Sequence, residues 1–391
     1  MINKKTVIIL LFFFTICETG LSSPYVHAKN LNAGIALADE HGRILYSQNF
    51  EQQFVPASIL KILTSLTAIH ILGEHYHFST DYYFDKNSKN LYIKGYGDPL
   101  FTSEVIQLFC QNIISTYQID LIHNIVLDQT YFSNQIEVPG KGSSLNPYDA
   151  PVGALCANFN TIMFKSSKNG NFISAESQTP LLSIFQEDIK KTGLTRGRII
   201  LTKKQSQFYP GLLIKYFLEA QQIKITGDIL QGSFPENSNI KKHTFLSPFD
   251  LKEVVQKLLK YSNNFIANQL LLIMGAKADQ PPATIEKGLH AINKHLKTDD
   301  LILSEGSGLS RSSKISPKQM LKILLKFMPY HSLLNKQDND FYKTGTLTGI
   351  RTRAGYILGK DARLYPYVIM INQKNTGYIA IHKKLFKMVN N

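Results

Sequence analysis

Apolar positions along the chain change period several times. Short strand-like runs at 35–39 and 43–47 flank His41-Gly42 and predict a β-hairpin. From Ser58 to about Leu72, the residues Ile59, Leu60, Ile62, Leu63, Leu66, Ile69 and Leu72 cover most of a helical circumference, so a largely buried helix is predicted there. Gly73 is placed to end it. Between about 91 and 245 turn residues and short strand-like runs dominate, as in Tyr96-Gly97-Asp98-Pro99 and Val138-Pro139-Gly140. Helical periodicity returns at 246–259, breaks at Tyr261-Ser262-Asn263-Asn264 and resumes at 265–274 and 314–328. Strand-like segments at 343–348, 353–358 and 365–372 precede a final helix from about Gly377. A hairpin at the start, helices in the middle and strands at the end predict an α+β domain whose sheet draws on both termini. That domain is split into 29–90 and 246–391 around an inserted, mostly-β or α+β region at 91–245.

The first 28 residues form a unit of their own. Lys4 and Lys5 precede an apolar stretch at 7–16, and Val26-His27-Ala28 reads as a cleavage site, which is the pattern of a secretory signal peptide. Retention as a membrane anchor stays open, although the apolar stretch is short for a span. The formal net charge is +14. On an exported chain, such a balance suits anionic envelope material: lipid head groups or wall peptides with free carboxylates. The basic residues are scattered without an aromatic-interleaved run, so no nucleic-acid partner is read. Beyond the leader only Cys110 and Cys156 remain; they can pair in an oxidising compartment or stay as buried thiols. No zinc-ligand spacing is present, and no cofactor is implied.

One charge sits oddly in this pattern. Lys61 lies in the first turn of the predicted buried helix, three positions after Ser58. A buried ammonium is costly unless paired or neutralised, so Lys61 is either an edge residue that snorkels to water or a chemical group. Positions i and i+3 share a helical face. A serine at a helix N-terminus feels the positive end of the dipole, and a neutral lysine one turn inside can take its proton with no histidine needed. The spacing alone is weak, since Ser238 and Lys241 repeat it. Ser-x-x-Lys with a Ser-x-Asn element and Lys-Thr-Gly is the signature of serine β-lactamases and penicillin-binding proteins. Ser262-Asn263-Asn264 supplies the second element, and it is the Ser-x-Asn copy that lies between two apolar helices. Lys343-Thr344-Gly345 supplies the third, in a strand entering a hairpin; its decoy at Lys191-Thr192-Gly193 reads as a helix stop. The three occur in the needed order.

Longer blocks carry a resemblance. Tyr96-Gly97-Asp98-Pro99, the segment from Tyr148 through Asn158 and Asn160, Glu305-Gly306-Ser307-Gly308-Leu309-Ser310-Arg311 and Lys343 through Tyr356 are similar to blocks of the D-alanyl-D-alanine carboxypeptidase/endopeptidase family. These are the class C low-molecular-mass penicillin-binding proteins, of the penicillin-binding protein 4 type, with a large insertion between the first two motifs. Glu305 stands where that family usually has Asp. The resemblance implies a serine β-lactamase/penicillin-binding, transpeptidase-like catalytic domain. It also implies a periplasmic enzyme acting on peptidoglycan stem peptides that end in D-Ala-D-Ala and acylated by β-lactam antibiotics; peripheral membrane contact is left open. The expected roles are Ser58 as nucleophile, Lys61 as general base, Ser262 as proton relay between Lys61 and Lys343, and Asn264 as support for the substrate amide and for Lys61. Lys343 with Thr344 and Thr346 is expected to hold the terminal carboxylate. The N–H groups of Ser58 and Thr346 form the expected oxyanion hole, and Gly345 leaves room for the substrate strand. By resemblance, Tyr148, Arg311 and Leu347 line a pocket for the diamino-acid side chain. Two other readings are carried: a serine β-lactamase, for which no deacylating base is identifiable, and a non-catalytic penicillin- or wall-binding module.

Overall fold

The computed structural model describes residues 31–142, 147–235, 240–296 and 301–391. The expected leader and Ser238 lie outside them. The chain opens with β1 (Ala33–Ala38) and β2 (Ile44–Gln48), followed by α1 (Leu60–Leu72), β3 (His77–Phe84), β4 (Leu91–Gly95) and α2 (Ser103–Tyr117). Next come β5 (Leu121–Ile122), β6 (Ile125–Asp128), β7 (Thr161–Ser166), β8 (Phe172–Ser174), α3 (Gln186–Lys191), β9 (Arg196–Ile200) and α4 (Lys203–Glu219). β10 (Lys224–Ile225), β11 (Ile229–Gln231) and β12 (His243–Asp250) lead to α5 (Leu251–Tyr261), α6 (Asn264–Asp279), α7 (Ile285–Leu296) and α8 (Pro317–Phe327). The chain ends with β13 (Asn335–Gln337), β14 (Asp340–Leu347), β15 (Ile350–Leu358), β16 (Leu364–Ile371) and α9 (Ile379–Asn390).

The first sheet has the order β13-β14-β15-β16-β1-β2, so strands from both ends of the chain meet at the antiparallel β1–β16 pair, Ala33 opposite Ile371. β1 is buried on both faces. One face packs on α1 and α8; the other packs on α9 through Ile35, Leu37, Ile369 and Leu385. The second sheet, β11-β6-β4-β3-β12, takes its strands from 77 through 250. The expected division at 90/91 therefore falls inside the β3–β4 hairpin, with Phe84 opposite Leu91. A third sheet, β8-β7-β9, stands beside it.

Several elements differ from the periodicity reading. The run 246–259 is not one helix: β12 extends through Asp250 with alternating burial, and Asp250 then caps α5, its carboxylate accepting from the Glu253 N–H while Glu253 reaches back to the Asp250 N–H. The insert contains two long helices, α2 and α4, that turn residues around them obscured; α4 carries Pro210 and Gly211 at its centre. Gly193, the decoy glycine, follows α3 at a φ of 67°, a helix stop as expected. Cys110 and Cys156 are both buried and unpaired.

The segment that carries Ser58 is tied down from two sides. The side chain of Asn372 accepts from the Val55 N–H at 2.8 Å and donates to the Val55 carbonyl at 3.3 Å. The Thr352 hydroxyl donates to the Pro56 carbonyl at 2.8 Å. Val55 is buried, so removing its acceptor leaves a dry N–H unpaired. Asn372→Ala is expected to lower stability by about 1–3 kcal/mol in denaturant titration.

Candidate active site

Pro56 does not lead straight into α1. Residues 57–59 form a single 3₁₀ turn, and Leu60 begins the α-helix. Ser58 thus sits on a tight turn rather than in the helix's own first turn, but the three-residue step to Lys61 still brings the two side chains together, with Lys61 Nζ 3.0 Å from Ser58 Oγ. Ala57, immediately before Ser58, is held at a φ of 48°, in the left-handed region that a Cβ disfavours. Such strain persists only when its surroundings over-determine it, and here they do. A Cβ on Gly308 would lie 1.9 Å from the Ala57 carbonyl oxygen, and one on Gly345 would lie 2.7 Å from the Ser58 nitrogen. Both glycines are there because backbone must press against the turn. Gly345 brings β14 against the Ser58 amide.

Lys61 is 0% exposed, so the snorkelling alternative is out. Its Nζ has three oxygen neighbours: Ser58 Oγ, Asn264 Oδ1 at 2.6 Å and the Ser307 carbonyl at 2.7 Å. The latter two only accept. A neutral amine can donate to both and still offer its lone pair to the Ser58 hydroxyl. Burial pushes the lysine's pKa well below its usual range, the Lys343 charge pushes it further, and Glu305 opposes both. The Ser307 carbonyl is itself fixed. The buried Glu305 carboxylate accepts from the Ser307 N–H and hydroxyl, each at 2.6 Å, and from Asn268 Nδ2 at 3.2 Å. The Thr64 hydroxyl, one turn after Lys61, donates to the Gly306 carbonyl at 2.6 Å.

The second element is built by a break between two helices. Ser262 ends α5 at a φ of 54°, and Asn263 then caps α6, its Oδ1 accepting from the Ile266 N–H at 3.1 Å. This forces Ser262 and Asn264 toward the same place. Asn264 meets Lys61, while the Ser262 hydroxyl accepts from Lys343 Nζ at 2.8 Å. Lys343, 2% exposed, also donates to the Thr344 carbonyl at 2.9 Å, and burial pushes its pKa down to about 7. The five motif residues are therefore gathered at one spot: Ser58, Lys61 and Asn264 in one cluster, Ser262 and Lys343 in the other.

A cleft of about 1230 Å³ opens over them. Ser58, Ser262, Asn264, Thr346 and Leu347 line it, and Tyr148 leans over from the insert, 42% exposed. Thr344 lies two residues from Thr346 on β14, hence on the same face. Arg311 is not in the lining: its Nη2 donates to the Thr348 carbonyl at 2.6 Å, at the tip of the β14–β15 hairpin. The lining also contains Arg351, which lies in the last family-like block, and Phe159, Thr161, Arg198 and Lys374, to which the sequence assigned no role. Phe159 is presented by three consecutive left-handed residues, 158–160, that Asn158 and Asn160 pin through Ser103 and the Pro151 carbonyl. Among the described residues the lining holds three cations, Arg198, Arg351 and Lys374, and no carboxylate. The cleft is built to receive an anion.

The chain belongs to the D-Ala-D-Ala carboxypeptidase 3 (S13) family, whose model matches residues 23–195 and 194–339. It is 22% identical to a D-alanyl-D-alanine carboxypeptidase of Actinomadura sp. (strain R39), over 85% of this chain and 76% of that protein. It is 21% identical to the D-alanyl-D-alanine carboxypeptidase DacB of Haemophilus influenzae, over 93% of this chain and 88% of that one. Among solved structures, penicillin-binding protein 4 from Haemophilus influenzae matches with a TM-score of 0.71 at 18% identity, covering 92% of this chain and 97% of that chain. A predatory peptidoglycan endopeptidase from Bdellovibrio bacteriovorus matches with a TM-score of 0.55 at 18% identity, covering 91% of each. The α+β fold of the penicillin-binding enzymes, expected from the motifs, is the fold observed.

Burial holds both lysines below their usual range. A reaction that needs neutral Lys61 gains rate as pH rises through the Lys61 titration; one that needs charged Lys343 loses rate as pH passes Lys343. Acylation by benzylpenicillin is expected to be bell-shaped, with its alkaline limb near the free-enzyme Lys343 value of about 7. In Lys343→Arg, whose guanidinium stays charged, the alkaline limb is expected to vanish. Stopped-flow acylation rates across pH would read this.

Proposed function

We propose that the protein is an exported serine-type D-Ala-D-Ala carboxypeptidase/endopeptidase of peptidoglycan, acting through an acyl-enzyme and acylated by penicillin. One observation carries this reading: a serine paired with a buried lysine of lowered pKa, in a cleft whose lining, among the described residues, holds cations and no carboxylate. Family membership supports it.

In this mechanism Ser58 Oγ attacks the carbonyl between the two D-alanines as its proton passes to neutral Lys61. The N–H groups of Ser58 and Thr346 receive the oxyanion, helped by the positive end of α1. Ser262 hands a proton to the leaving amine, relayed between Lys61 and Lys343. Free D-alanine departs, and water releases the acyl group from Ser58. Lys343, Thr344 and Thr346 hold the terminal carboxylate, a charge-assisted contact. Asn264 fixes Lys61 and the substrate amide. The edge of β14 beside Gly345 takes the extended peptide as an added strand. Tyr148 and Leu347 line the acyl-side pocket, and Arg311 acts on it from the hairpin tip.

The catalytic domain in this reading takes its sheet from both chain ends, with the segment between 77 and 250 inserted. The leader at 1–28 directs export to the periplasm. Among the described residues no helix is long and apolar enough to cross a membrane.

The test is release of D-alanine from a peptide ending in D-Ala-D-Ala, beside Ser58→Ala. Wild-type turnover, with a loss of at least about 10³-fold in the variant, is the expected result. Rapid hydrolysis of penicillin without peptide turnover would instead make the protein a β-lactamase, and inertness toward both would make it a binding module.

A further inference from the structure

The wall of the cleft contributed by the β8-β7-β9 sheet has its own cation. Arg198 of β9 lies opposite Met163 of β7, and Thr161 and Arg198 both line the cleft that contains Ser58. Arg198 is half-buried. Its Nε donates to Met163 Sδ at 3.0 Å, a weak acceptor. Burial works against its charge and pushes its pKa down, Glu176 opposes this through space, and no ion pair closes between the two. Among the described residues the other N–H groups of the guanidinium have no protein acceptor. A planar fork held this way is matched to a carboxylate, which it can grip with two parallel hydrogen bonds. Lys343 of β14 is buried behind Ser262 rather than in the cleft lining, and on the proposed mechanism it serves the C-terminal carboxylate.

We propose, on that peptidase reading, that Arg198 is a specificity residue: it binds a second carboxylate of the substrate, on the acyl side of the scissile bond. Wall peptides carry such carboxylates in two places, on the same stem and on a second stem joined to it by a cross-link. Phe159 and Thr161 line the same cleft as Ser58 and Arg198, with Phe159 braced edge-on against Phe265 at 5.8 Å. The three-stranded sheet thus acts as a reader of substrate charge.

The test compares kcat/KM for two pairs of D-Ala-D-Ala peptides. One pair is a linear stem with its acyl-side carboxylate free or converted to the primary amide. The other is a cross-linked dimer with the second stem's carboxylate free or amidated. Wild type is expected to favour the free carboxylate in at least one pair by roughly tenfold, mostly in KM; the pair that responds identifies the source. Arg198→Gln is expected to flatten that ratio, and Arg198→Lys to keep part of it. Benzylpenicillin acylation of each variant reports whether the Ser58 site is assembled. Equal rates within both pairs for wild type, or a preference that survives in Arg198→Gln, overturns the Arg198 assignment alone. Failure of wild type to turn over any of the four peptides removes the peptidase reading and this assignment with it.

Discussion

A charged amine taken out of water costs several kcal/mol unless it is fully paired, and among the described residues Lys61 has no carboxylate in hydrogen-bond contact. Its three neighbours are a hydroxyl, an amide oxygen and a backbone carbonyl. A neutral amine fits that set, donating to the two acceptors and facing the hydroxyl with its lone pair; what presses against the charge is burial and the nearby Lys343. The nearest carboxylate, Glu305, spends its lone pairs on Ser307, Asn268 and the Ser310 N–H. It shapes the loop beneath Lys61 without touching the lysine. The positive end of α6, which begins at Asn264, adds to the pressure against charge.

Much of the surrounding architecture serves to hold that contact. Two helices, α1 and α6, fix Lys61 and its amide partner Asn264. Two glycines from distant strands and loops, Gly308 and Gly345, let backbone close on a strained turn at Ala57. The sheet that carries Lys343 is completed by strands from both ends of the chain, and its β14 packs on the turn that carries Ser58. Ser262 touches Lys343 and Asn264, two residues on, touches Lys61, so one short helix break links the two lysines.

Local chemistry was legible in the sequence, and long-range topology was not. Ser58-x-x-Lys61 is readable because a three-residue step fixes geometry even when, as here, the turn is 3₁₀ rather than α. Ser262 and Asn264 are readable because an Asn cap between two apolar helices leaves few conformations. The boundary at Asp250 was missed because Leu246 and Phe249 of the strand run into Leu251 and Val254 of the helix without a break in apolar spacing. α4 was missed because Pro210 and Gly211 read as breakers, although the packing of Leu213 and Ile214 carries the helix through them. Phe159 and Arg198 reach the cleft only through sheet pairing and a left-handed turn, which no local spacing announces. Arg311 shows the converse: its motif is plain, but its side chain is committed to the Thr348 carbonyl.

The central claim is that Lys61, buried beside Ser58, loses its proton well below the ordinary lysine range. The most direct measurement is an NMR titration of ¹³C-labelled lysine side chains, with the Lys61 and Lys343 signals assigned by their loss in Lys61→Arg and Lys343→Arg. The account predicts that the Lys61 signal titrates far below the ordinary lysine value of about 10.4. A Lys61 signal that titrates with the surface lysines would mean a charged amine beside Ser58, and would contradict it.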